Sequence, residues 1–110
     1  MVKNFTGPSK EEILADNKQT KSFFERAKKI TKDSIGDIYS LIGCISEYCQ
    51  IHYTRYRKQL QELRAILSDC IASICNNDNL GFVRLSEFLS VREPVYEKVW
   101  VNKSCCQKKK

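Results

Sequence analysis

The chain has 110 residues, which leaves room for one domain. Hydrophobic residues make up 42% and charged residues 29%, too apolar a balance for a wholly disordered chain, and 4 Gly with 2 Pro are too few turn residues for an all-β sandwich. The formal net charge of +6 sits at the ends: residues 1–33 hold 8 Lys/Arg against 5 Asp/Glu, residues 34–76 hold 4 against 4, and residues 77–110 hold 7 against 4.

Residues 1–7 read as an N-terminal tail. Pro8 and Ser9-Lys10-Glu11-Glu12 then have the form of a helix start with a capping box, in which Ser9 and Glu12 each bond the other's backbone amide. A helix over 10–32 follows, with Ile13, Phe23, Phe24, Ala27 and Ile30 as its apolar members. Asn17 and Thr20 interrupt that stripe, and the opposite face is rich in Lys. Asp33-Ser34-Ile35-Gly36-Asp37 is the next punctuation. Asp33 or Ser34 is placed to cap a new helix, and Gly36 costs about 1 kcal/mol within one. A turn is preferred here over a single helix running from 10 to 76.

Residues 34–76 carry the strongest helical pattern in the chain. Ile38, Ile42, Ile45 and Cys49 follow alternating gaps of four and three, and Tyr53, Tyr56, Leu60, Leu63, Leu67, Cys70 and Ile74 continue the alternation. One extra gap of four, from Cys49 to Tyr53, joins the two series as a stutter would join two heptad runs. The expectation is one long, coiled-coil-like helix of about 64 Å. Asn76-Asn77-Asp78-Asn79-Leu80-Gly81 ends it, and a short helix over 84–92 follows, stopped by Pro94. Residues 95–101 alternate apolar and polar side chains and suit either an extended segment or a helical turn. The expected domain spans 8–101, and 102–110 form a basic tail.

Candidate chemistry is sparse. His52 is the only histidine; Cys49, three residues back, has the spacing a thiolate–imidazole pair requires, but a partly buried pair of structural residues has the same spacing and is the preferred reading. No Gly-rich phosphate loop is present, so no enzyme activity, cofactor or small-molecule substrate is expected. Tyr53-Thr54-Arg55-Tyr56-Arg57-Lys58 mixes aromatic and basic residues as single-strand binders do, although core tyrosines with a solvated basic face are the preferred reading. The cysteine pairs Cys44/Cys49 and Cys70/Cys75 lie five apart, on different helix faces, and read as free thiols. Cys105 and Cys106 beside Lys108-Lys109-Lys110 form a candidate lipidation site supported by anionic lipid.

The segment Asn76 to Glu87 has Gly81 sixth, Val83 eighth and Glu87 twelfth. In this it resembles the calcium loop of the EF-hand family, which would make Asn76, Asp78 and Glu87 oxygen ligands at the first, third and twelfth positions. Leu80 at the fifth position and Arg84 at the ninth depart from the family, so the resemblance implies a degenerate, calcium-related module.

The expected fold is therefore all-α: a helical hairpin or small bundle built on one long heptad-patterned helix over 34–76, with a short C-terminal helix. Its ribbon of Ile38, Ile42, Ile45, Tyr53, Tyr56, Leu60, Leu63, Leu67 and Ile74 is too long for the remaining segments to cover, and an exposed stripe of that size calls for a protein partner or a second copy. The expected function is a non-enzymatic protein–protein interaction or scaffold subunit, with a cytoskeletal or ciliary setting drawn from the basic ends, which suit an acidic surface such as tubulin, anionic lipid or nucleic acid. The alternatives are a peripheral membrane adaptor held by Cys105, Cys106 and the Lys tail, a basic nucleic-acid-binding protein, and the calcium-related module. The N-terminus lacks a signal-peptide apolar run and no membrane span is visible, so the expected location is the cytoplasm.

Overall fold

The computed structural model describes residues 9–91, and among these every regular element is helical. The helices are α1 (Lys10–Lys28), α2 (Ile35–Ile51), α3 (Arg57–Asn76) and α4 (80–91).

Helix α1 starts as its sequence dictates. Ser9 Oγ accepts from the Glu12 amide at 3.2 Å, and the Ser9 amide donates to Glu12 Oε1 at 2.8 Å. The helix ends four residues before the expected boundary, at Lys28. Thr31 and Ser34 then close the turn to α2. The Thr31 amide donates to Ser34 Oγ at 3.0 Å and the Ser34 amide donates to the Thr31 carbonyl at 3.0 Å. Ser34 thus has its hydroxyl committed to the turn and gives α2 no side-chain cap.

The single helix expected over 34–76 is two helices. Its interruption falls at residues 52–56, on the extra gap of four that reads as a stutter in the sequence. His52 leaves the helix with extended dihedrals, φ −113° and ψ 148°. Thr54 Oγ1 accepts the Tyr56 amide at 3.1 Å, a local side-chain bond that competes with helix continuation. With a link of only five residues and an extensive α2–α3 contact, the two halves lie antiparallel.

This reversal changes the fate of the ribbon. Ile38, Ile45, Leu60, Leu63 and Leu67 are fully buried against one another and against Phe23, Phe24 and Ala27 of α1. Tyr56 is buried, and Ile42 and Ile74 are half-buried at the margin of the same core. Tyr53, expected on the ribbon, sits in the link and is 70% exposed. The chain covers its own seam, so the length of the ribbon no longer requires a companion chain.

Asn77 ends α3 in the left-handed conformation (φ 59°, ψ 48°), and the Asp78 amide closes back on the Ser73 carbonyl at 3.0 Å. Helix α4 begins at residue 80, four residues earlier than expected, so Gly81 is helical and not part of the turn. Its role is close approach. A Cβ on Gly81 would lie 2.5 Å from the carbonyl carbon and oxygen of Asp69 and 2.7 Å from the Cys70 nitrogen, all main-chain atoms of α3. Its amide donates to Ser73 Oγ at 2.8 Å. From there α4 buries Leu85, Phe88 and Leu89, Phe88 stacks on Phe24 with ring centroids 5.9 Å apart, and Arg84 pairs with Asp69.

Gly81→Ala is expected to destabilise the fold by about 1–3 kcal/mol, because the obstacle is backbone and cannot rotate away; a urea-midpoint shift near zero would show that α4 can slide. The interior also sets an alkaline limit. Burial is the main cause pushing the Cys70 thiol from 9.0 up to about 11, with the Asp69 charge adding to it. The unfolded chain therefore sheds this proton first, and stability falls as pH rises from about 9 to about 11. Denaturation midpoints compared between pH 8 and pH 11 should fall less in Cys70→Ala than in the parent chain, whatever the absolute cost of the substitution.

Candidate functional site

The corner between α2 and α3 is where polar chemistry concentrates. Asp16, Asn17 and Thr20 occupy the core-facing stripe of α1 and are 6%, 8% and 0% exposed. Asp16 Oδ1 accepts from the Tyr48 hydroxyl at 2.5 Å, and its Oδ2 accepts from the Arg55 backbone amide at 3.0 Å. Asn17 Oδ1 accepts from the Tyr56 hydroxyl at 2.5 Å. Arg57 closes the end of α2 by donating to the Cys49 carbonyl at 2.6 Å. The bonds to Arg55 and Tyr56 clasp α1 to the link, and the Tyr48 bond ties it to α2.

Burial first, then the hydrogen bond to Asp16 and the charge of Asp16, push the Tyr48 phenol far above its ordinary range. Burial likewise raises Tyr56, with Asp16 adding to the rise and Arg55 opposing it. Both phenols are held as neutral donors. The Tyr48 ring stands edge-on to Phe23 at 5.5 Å and lies against His52 at 5.0 Å.

Outside the clasp lies an open cleft of about 760 Å³. Ile13, Asp16 and Gln19 of α1, Tyr48 of α2, and His52, Tyr53 and Arg55 of the link line it. Its volume falls in the range of ordinary ligand sites. A shallower hollow of about 250 Å³ continues past Tyr48 and His52 to Phe23, Arg26 and Ile51. Ile51 and Tyr53, 64% and 70% exposed, are large apolar side chains at this corner.

The structure separates several residues that spacing had brought together. Cys49 is buried, its thiol pushed up chiefly by burial although Arg57 and Arg64 oppose the shift, and no hydrogen bond joins it to His52 on the exposed C-terminus of α2. The twelve-residue calcium loop is absent as a loop: Asn76 ends α3, Glu87 lies well inside α4, and Asp78 accepts the Leu80 amide at 3.1 Å. Leu80, which brings no side-chain oxygen to the fifth position, is where α4 starts. Among the described residues no group of three or more His, Cys, Asp or Glu is placed to hold a metal ion.

Cys105 and Cys106 lie outside the described residues, and so does most of the basic excess. Residues 9–91 hold 12 Lys/Arg against 11 Asp/Glu, while 1–8 and 92–110 together hold 7 against 2. No described helix is long and apolar enough to cross a membrane.

Asp16 and the cleft escape a reading by periodicity. The available signal is that Asp16, Asn17 and Thr20 stand in the register of Ile13, Phe23 and Phe24, so polar side chains on that face have to find partners inside the protein. Tyr56→Phe removes the donor to Asn17 and leaves a buried amide oxygen unpaired. A loss of about 1–3 kcal/mol is expected in urea unfolding; a loss confined to a few tenths would mean that the clasp is not structural.

Comparison with protein-family models, with curated proteins and with solved structures returns no match for this chain.

Proposed function

We propose that this chain is a non-enzymatic helical interaction subunit that docks a protein partner on the α2–α3 corner. The observation that supports this reading is the exposure of Ile51 and Tyr53 beside the cleft, on a body whose long ribbon is already folded inward. Tyr and Arg are the residue types that most often dominate a protein–protein contact, and Tyr53 and Arg55 flank one groove here. The clasp to Asp16 and Asn17 holds that groove in a fixed shape, which reduces the ordering cost of binding. The near balance of charge on residues 9–91 favours a contact made by shape and apolar surface over one made by a basic field.

The test is a double substitution, Ile51→Asp with Tyr53→Ser, in the full chain. Circular dichroism should keep its helical signal, because both side chains are exposed. Affinity capture from the native source, with light scattering to score self-association, should lose the partners or second copy that the parent chain retains. Leu80→Asp on the exposed part of α4 is the control and should lose none. Capture unchanged by the corner variant and abolished by the α4 variant would move the docking face elsewhere.

A further inference from the structure

The corner cleft has the opposite sign to the chain that carries it. The sequence as a whole is +6, yet the charged side chains among the described residues lining the cleft are two acids, Glu12 and Asp16, and one base, Arg55. Helix geometry turns the nearest lysines of α1 away. Lys18 and Lys21 lie about 160° and about 140° around the helix axis from Asp16.

Asp16 and Arg55 offset each other. The Arg55 amide donates to Asp16 at 3.0 Å, and their two charges act in opposite directions on the Tyr56 phenol. The Arg55 guanidinium carbon lies 5.9 Å from the centre of the Tyr56 ring, and its Nη1 is shut off from solvent. Glu12 differs. It is exposed, and its Oε1 accepts the Ser9 amide at 2.8 Å. A carboxylate has about four acceptor sites, so Glu12 keeps capacity for a further donor. Rings stand beside that charge: Tyr53, 70% exposed, lines the same cleft, as do Tyr48 and His52. A cation is drawn to the face of a Tyr ring, and the aliphatic stem of Lys or Arg packs on apolar surface such as Ile13 provides.

We infer that the corner cleft takes a Lys or Arg side chain of a partner protein, held by the Glu12 carboxylate and the Tyr53 ring. This rests on the corner being the docking face. An acidic side chain would meet the charge of Glu12, and a neutral one would leave that charge unanswered.

The experiment is an NMR titration of the full chain, following the backbone amides of Ala15, Gln19 and Tyr53. Three peptides differ at one side chain: N-acetyl-lysyl-phenylalaninamide and its norleucyl and glutamyl counterparts. The lysyl peptide should bind about fivefold tighter than the norleucyl one, and the glutamyl peptide should bind most weakly. Glu12→Gln removes the charge while Gln keeps the capping box with Ser9, so the helical signal should persist and the lysyl advantage should fall to about twofold. Tyr53→Leu retains an apolar side chain without the ring and, combined with Glu12→Gln, should level the two peptides. In affinity capture, Glu12→Gln should lower recovery of the partner.

Equal binding of the lysyl and norleucyl peptides, or a lysyl preference that survives the Glu12→Gln/Tyr53→Leu pair, overturns the cation site. Tighter binding of the glutamyl peptide overturns it in favour of an acid. A lysyl preference with capture unchanged by Glu12→Gln overturns the partner as the source of the cation. So does a shift of the corner amides, without peptide, when Lys103, Lys108, Lys109 and Lys110 are all changed to Gln, since the cation then comes from this chain. If no peptide moves the corner amides while the Ile51→Asp/Tyr53→Ser variant still loses its partner, the cation site alone fails. If that variant also keeps its partner, both readings fail.

Discussion

A carboxylate taken out of water must be given donors, and Asp16 is 6% exposed. Two groups supply them: the Tyr48 hydroxyl near the end of α2 and the main-chain amide of Arg55. In an unbroken helix the Arg55 amide would belong to the carbonyl four residues back, at Ile51. Only where the helix is interrupted is that amide free to turn to Asp16. The break in the ribbon and the acid on α1 therefore specify each other. Once the chain reverses at residues 52–56, the apolar halves of α2 and α3 meet, α1 lies across them, and α4 closes over Phe24.

Much of this is written locally. The Ser9–Glu12 box, the turn near Ser34 and the stop after Asn76 are short-range signals, and each stands where it was read. Apart from Tyr53, the ribbon residues do share one apolar face as their spacing predicts, but that face is the chain's own core rather than a seam for a partner; what periodicity missed is the place where they fold back. Heptad spacing records which residues share a face and is blind to a reversal between two runs that keep the same period. No Gly or Pro marks the corner. The determinant is the donor demand of an acid 39 residues away from Arg55, a long-range interaction that pattern alone does not disclose. Gly81 misleads in the opposite sense: it reads as a turn residue and as the sixth position of a calcium loop, whereas its lack of a side chain lets α4 sit on the α3 backbone.

The same reversal relocates the surface of interest. A stripe read as an interface becomes interior, and Ile51 and Tyr53 are left outside at the corner, beside the cleft and its adjoining hollow. The site is thus a by-product of how the fold satisfies Asp16, since the acid fixes both the backbone that carries Arg55 and the phenol that forms one wall. The basic character that dominates the composition belongs largely to residues outside 9–91.

Neighbouring residues of α1 hold neighbouring residues of the link: Asp16 takes the amide of Arg55, and Asn17 takes the hydroxyl of Tyr56. The two attachments act as a ruler laid along the connection. Lengthening it by one residue would shift one attachment out of step with the other and turn α3 by about 100° relative to its core face. Most surface connections accept insertions and deletions readily. This one is gauged from a distant helix, so natural length variation should fall first at the turn 29–34, where the bonds of Thr31 and Ser34 run between residues close in sequence.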